Sequence, residues 1–370
     1  MKKVAFNLVL SLPTLLLAYI LTPFLINLYR FHHVDSDAVV KEMRQAVQNL
    51  ESHPESFSRF HPGTEVGRPL IRSKNEKVIY VYGGSSIVLS NSGVYPHNVF
   101  SGKLQEALKG TALVSNFGRN GVDSLYERDI FEYTSKIQKP DLVIVYSGHN
   151  DYTNLYRHVV RPHYSLLKGT IFQSLVRARK RFAGHAEWNI DFNFEPMVDT
   201  YVAAVGLLPV NSSEFLRYDS IAEGCFHDNI RRIADYAKAN GIPVLLITPI
   251  GNLHKKPVGN AALLQEYERA VLIPDYGRRI AQLLEVRDRD FLAPDIRAKT
   301  PLLQFMRRME DERHGIYVLD LEQELVKRKF EFDRDDVYDY LHLTQPTHEV
   351  IKDLILREIK EKALLGRRRK

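Results

Sequence analysis

Two segments at opposite ends of the chain hold residue types that can transfer an acyl group. Gly83-Gly84-Ser85-Ser86 offers two hydroxyls, and Asp339-Tyr340-Leu341-His342 offers an imidazole with a carboxylate three residues before it. A serine hydroxyl is a poor nucleophile near neutral pH and needs an adjacent base to take its proton. An imidazole, with an ordinary pKa of about 6.5, suits both accepting that proton and returning it. If the segment makes one turn, Asp339 reaches the same ring, fixes its tautomer and stabilises the imidazolium. Two further segments, Asn116 to Ser124 and Gly148-His149-Asn150-Asp151, carry amides and carboxylates. Each of the four also has an ordinary reading. Gly-Gly-Ser-Ser is equally a phosphate-cradling turn or a plain tight turn, a lone glycine between strand and helix as in Asn116 to Ser124 ordinary turn chemistry, Gly-His-Asn-Asp an Asx-type helix cap, and Asp-x-x-His a helix-terminal ion pair.

What must position these residues is legible in the apolar runs. Val78-Ile79-Tyr80-Val81-Tyr82 is continuous, the mark of a strand buried on both faces. Further strands are predicted over 112–116, 141–146, 242–248 and 316–320. Helices are predicted near 98–109, 124–137, 219–240 and 346–364. Alternating strands and helices indicate a parallel sheet of about five strands covered on both faces, a three-layer α/β/α sandwich of the flavodoxin-like kind. In such sheets functional groups collect at the carboxyl ends of strands. Three of the four segments follow predicted strands one, two and three directly, and the fourth follows strand five across a short helix.

Order and placement together resemble the SGNH (GDSL-type) hydrolases. The blocks are Tyr82-Gly83-Gly84-Ser85-Ser86, the segment ending Asn120-Gly121, Gly148-His149-Asn150-Asp151, and Asp339-Tyr340-Leu341-His342. The resemblance spans about residues 77–362. It implies Ser85 as nucleophile with His342 and Asp339 completing a triad. It also implies an oxyanion hole from the Ser85 amide, the Gly121 amide and the Asn150 side chain. Gly121 suits that place because the lack of a Cβ lets an amide approach the substrate. One departure stands out: the family's first block usually reads Gly-Asp-Ser, and here Gly84 replaces the aspartate. Ser86 thereby becomes a rival to Ser85, which keeps the motif position.

Elsewhere the sequence bounds the answer. Charged residues are 26% of the chain and apolar ones 44%, a globular balance that suffices for a sizeable core. The net charge of +6 comes largely from runs such as Arg177 to Arg181 and Arg367 to Lys370. No aromatic-interleaved basic motif accompanies them, so they read as solvated surface and no nucleic-acid partner is expected. Cys225 is the only cysteine, which excludes an intrachain disulfide and a cysteine metal cluster. Neither a catalytic metal nor a cofactor is expected. The acidic cluster Asp333, Asp335 and Asp336 reads as a solvated loop.

At the N-terminus, Lys2 and Lys3 precede a stretch without charge from Val4 to Tyr29. As a straight helix it is about 39 Å long, more than the ~30 Å hydrocarbon core requires. It ends without a small-residue cleavage site, so residues 1–33 are expected to be an uncleaved signal anchor. The positive-inside rule puts the amino terminus in the cytoplasm and the rest across the membrane, in a periplasm or outside the cell. Residues 34–75 read as a helix and linker, and 76–366 as the hydrolase domain. An aromatic and basic insertion at 152–218 is expected as a lid, a substrate platform or a helical subdomain. A second, mostly helical excursion covers 252–313.

The expected activity is hydrolysis of O-acyl, including O-acetyl, esters through an acyl-serine intermediate. The expected partner is an ester-bearing carbohydrate or lipid, with a cell-envelope or extracellular glycan foremost. An O-acyltransferase would use the same residues, and a non-catalytic envelope-assembly protein could retain the fold. A nucleotide-binding reading lacks the longer glycine pattern and its downstream acid.

Overall fold

Five parallel strands form one sheet, in the order β2-β1-β3-β4-β5. They are β1 (Lys77–Gly83), β2 (Ala112–Asn116), β3 (Leu142–Tyr146), β4 (Val244–Ile247) and β5 (Ile316–Leu319). The computed structural model describes residues 76–88, 96–153, 212–257, 261–290 and 297–366. All of these fall within one compact unit. The expected anchor, the 34–75 helix and linker, and nearly all of the 152–218 insertion lie outside the described residues. No helix among the described residues is long and apolar enough to cross a membrane.

Alternation along β1 builds two cores. Ile79 and Val81 join one apolar cluster with α1 (Phe100–Ala107), α4 (Ala261–Val271), α5 (Tyr276–Asp288), α7 (Leu321–Lys327) and α8 (Gln345–Glu361). On α8, Ile351, Leu354, Ile355 and Ile359 recur at helical spacing and are buried. Each such side chain contributes roughly 1.5–3 kcal/mol by leaving water. Tyr80 and Tyr82 belong to the opposite face. Phe117 stacks on Tyr82 with ring centroids 5.3 Å apart, and Phe131 of α2 (Ser124–Ile137) meets Tyr82 and Tyr236 edge-on. Tyr236 belongs to α3 (Ser212–Asn240), and α6 (Thr300–Arg308) packs against α3. The Tyr82 hydroxyl reaches Thr134 Oγ1 at 2.6 Å, so the buried phenol has a partner.

The parallel sheet and its covering helices match the expected layering; β1 runs one residue further at each end, β2 has the expected bounds, and β3, β4 and β5 are shorter by one to three residues. The helix expected over 219–240 begins earlier, at Ser212. Because β1 sits between β2 and β3, the chain reverses direction there, and a crevice opens at the carboxyl ends of these strands.

Candidate active site

β1 delivers the nucleophile turn. Gly83 ends the strand, and Ser85–Ile87 forms one 3-10 turn behind Gly84. The first amide of such a turn has no acceptor within it and is left for other partners. Gly84 has φ −80° and ψ −156°, a conformation open to any residue. Packing is what demands glycine here, since a Cβ would lie 2.4 Å from Asn150 Nδ2. The departure from Gly-Asp-Ser therefore coincides with a close approach of Asn150 to the backbone.

The opposite wall is a pinched loop. Val337 and Leu343 bridge in antiparallel fashion, and the Tyr338 amide donates to His342 O at 3.0 Å. Inside it, Asp339 Oδ1 accepts the amides of Leu341 and His342 at 2.9 and 2.8 Å. Asp339 Oδ2 lies 2.5 Å from His342 Nδ1, and His342 Nε2 lies 2.7 Å from Ser85 Oγ. Burial pushes the Asp339 carboxyl up, but the His342 hydrogen bond and the two loop amides outweigh it and hold it below its usual range. An ionised Asp339 accepts the Nδ1 proton and leaves Nε2 as the acceptor facing Ser85. Tyr338 lies beside the imidazole, ring centroids 5.8 Å apart and nearly parallel.

Ser86 stands apart from this chain of contacts. Its buried hydroxyl donates to Leu341 O at 3.1 Å and ties the nucleophile turn to the base loop.

The remaining expected residues lie beyond β2 and β3. Asn150 is buried, and its Nδ2 donates to Val122 O at 2.6 Å. It shares a small cavity with Gly84, Ser86, Val122, Glu127 and Ser147. Glu127 is buried there beside Ser147, and burial raises its carboxyl well above the usual range although the Ser147 hydroxyl works against the shift. Gly121 has φ +75°, and a Cβ there would meet nothing within 4 Å. The left-handed backbone is thus itself a reason for glycine at this position.

His149 and Asp151, which flank Asn150, make internal contacts. The Ala298 amide donates to His149 Nδ1 at 3.0 Å, so Nε2 carries the proton and donates to Ile250 O at 3.0 Å. Burial lowers the His149 pKa to about 3 and keeps the ring neutral. Asp151 accepts the Ser124 amide and hydroxyl at the start of α2. Asp336 is pushed up to about 6 by burial, and its Oδ2 accepts the Phe332 amide at 2.9 Å.

Two positioning segments escaped the sequence reading. The turn after β4 holds Asn252, whose amide donates to Tyr340 O and whose Nδ2 donates to Val337 O at 2.7 Å. Asn252 lies beyond the carboxyl end of β4, where a parallel sheet gathers functional groups. The second segment is Arg297-Ala298-Lys299. Arg297 donates to Asn252 O at 2.6 Å and pairs with Asp290 at 2.7 Å, and Lys299 pairs with Asp219 at 2.6 Å. This strap therefore holds the base loop through Asn252 and the Asn150 turn through His149.

No protein-family model matches the chain, and no curated protein does. Solved structures do resemble it. The lipase/acylhydrolase from Enterococcus faecalis is 16% identical over 77% of this chain and 96% of its own, with a TM-score of 0.36. A carbohydrate acetylesterase family member from Sinorhizobium meliloti is 13% identical over 79% of this chain and 100% of its own, with a TM-score of 0.39. A GDSL-like lipase from Bacteroides thetaiotaomicron is 13% identical over 85% of this chain and 98% of its own, also at 0.39. Similarities this distant assign neither activity nor substrate, so the chemistry is read from the site itself.

Proposed function

We propose that this chain is a serine ester hydrolase in which Ser85 is the nucleophile, His342 the general base and acid, and Asp339 the residue that orients His342. One observation carries the reading: the unbroken run from Ser85 Oγ through His342 to Asp339, at 2.7 and 2.5 Å. In the first step Ser85 Oγ attacks the ester carbonyl as His342 Nε2 takes its proton. The tetrahedral intermediate collapses when His342 returns that proton to the departing alcohol, leaving an acyl-serine. Water, deprotonated by the same nitrogen, then releases the acid and frees Ser85. Negative charge on the carbonyl oxygen would be met by the Ser85 amide, Asn150 Nδ2 and the Gly121 amide. A single donor of this kind is worth about 3–4 kcal/mol of barrier. Since Nδ2 bears two hydrogens, Asn150 can bond Val122 O and an oxyanion together.

The substrate we assign is an O-acyl ester, acetyl included, on a cell-envelope or extracellular glycan. The aromatic stretch within 152–218 suits sugar rings, and the uncharged stretch from Val4 to Tyr29 suits an anchor with the catalytic domain on the far side of the membrane.

The test is hydrolysis of p-nitrophenyl acetate, then of purified glycan acetates, by the full chain in detergent. Ser85→Ala and His342→Ala should each lose at least about a thousandfold in kcat, and Asp339→Asn a comparable amount. Ser86→Ala should stay within about tenfold of wild type, losing stability by about 1–3 kcal/mol as Leu341 O is left unpaired. Equal activity in wild type and Ser85→Ala would end the assignment.

A further inference from the structure

Apart from Ser85, the oxyanion donors proposed above come from two segments that are not joined in sequence. One is residues 121–124, leading from β2 into α2, and the other is the turn 147–151 after β3. Two hydrogen-bond links lace them together. Asn150 Nδ2 donates to Val122 O at 2.6 Å. Next to it, both carboxylate oxygens of Asp151 accept the Ser124 amide at 3.4 Å, and Oδ1 also accepts the Ser124 hydroxyl in a short bond. Behind Ser124, Asn229 Nδ2 donates to its hydroxyl at 3.0 Å, and Arg128 Nη1 donates to Asn229 Oδ1 at 3.1 Å. Asp151, Ser124 and Asn229 are all buried.

Helix capping accounts for only part of this carboxylate's bonding: Asp151 takes the Ser124 amide, but it also takes the Ser124 hydroxyl and so joins a buried side-chain network. α2 already has its cap in Asp123, whose side chain accepts the Tyr126 amide. Burial raises the proton affinity of Asp151, and the like charge of Asp123 adds to it. A carboxyl that is buried beside other carboxyls costs stability. Such a cost is retained where a neighbouring group must be aimed.

We infer that Asp151 is a positioning residue for the oxyanion hole, fixing the Asn150 turn to the 121–124 segment through Ser124. Asn150 makes the contact with the reacting oxygen, and Asp151 acts only through it. The inference rests on the ester-hydrolase reading.

The test is a double-mutant cycle on the full chain, measuring kcat and KM with p-nitrophenyl acetate. Asp151→Ala should lower kcat about a hundredfold, close to removal of an oxyanion donor, and leave KM within roughly threefold. Asp151→Asn keeps an oxygen that accepts the same Ser124 donors and should stay within about tenfold of wild type. In an Asn150→Ala background, Asp151→Ala should cost less than about threefold more, because its route of action is gone. Equal losses in both backgrounds, or an unchanged kcat in Asp151→Ala, would overturn the inference. If Asp151→Ala does not fold, Ser124→Ala carries the same cycle, with about a tenfold loss expected beside Asn150 and none without it. Additive losses there are equally fatal. A wild type that is inert, or indifferent to Ser85→Ala, removes the hydrolase reading and this inference together. A Ser85-dependent enzyme with additive losses removes this inference alone.

Discussion

Gly84 links the nucleophile turn to the oxyanion donors through the space it leaves empty. Its backbone angles suit any residue, so Gly84→Ala brings no conformational strain of its own. The added methyl would meet Asn150 Nδ2 at 2.4 Å and Val122 O at 3.3 Å, and Asn150 has to move. We expect Gly84→Ala to lower kcat about a hundredfold, as loss of a donor would, while stability falls by about 1–3 kcal/mol. Steady-state kinetics beside thermal melts would check both, and an unchanged kcat would show that Asn150 is not held by this contact. At this scale the residue types were readable and their bonding was not. Ser85 and Ser86 are equal as letters, and only Leu341 O, 255 residues away from Ser86, takes the second hydroxyl out of the base's reach. Gly121 was readable as a glycine, but its positive φ is not something spacing reveals.

At the level of elements, turns after β1, β3 and β4 converge with the 339–342 loop, and the buried strap 297–299 fastens two of them. The strands could be read because a parallel strand covered on both faces leaves a continuous apolar run, as in β1 and β3. The strap could not be read, since Arg297-Ala298-Lys299 has the composition of a solvated loop. Its burial depends on partners from other elements: Asp290 just beyond α5 and Asp219 in α3. A charge is normally read as surface, and only tertiary structure supplies the pairing that makes burial tolerable. Lys299→Met removes the buried cation that Asp219 pairs with at 2.6 Å, and breaking a buried pair typically costs about 3–5 kcal/mol. The thermal midpoint should drop by roughly 10 °C. Lys299→Met with Asp219→Leu should recover most of the loss, and a double variant no better than the single would contradict this account.

For the molecule as a whole, His149 couples stability to acid. Its ring is neutral in the fold down to about pH 3, against 6.5 for an unburied histidine. Between these values the unfolded chain binds a proton that the folded chain refuses, so stability falls as pH drops from about 6.5 towards 3. The slope from this one group reaches about 1.4 kcal/mol per pH unit. His149→Gln should flatten the fall in thermal midpoint over that range relative to wild type, and parallel curves would refute the assignment. The site is also spread along almost the whole described chain, for Ser85 and His342 stand 257 positions apart and meet only across the finished sheet. During synthesis the nucleophile is made 257 residues before its base, which follows β5. A ribosome-bound chain therefore carries an inactive serine until residue 342 has emerged and its loop has docked. Premature termination anywhere before residue 342 leaves a hydroxyl with no base, so truncated products cannot attack esters while they await disposal.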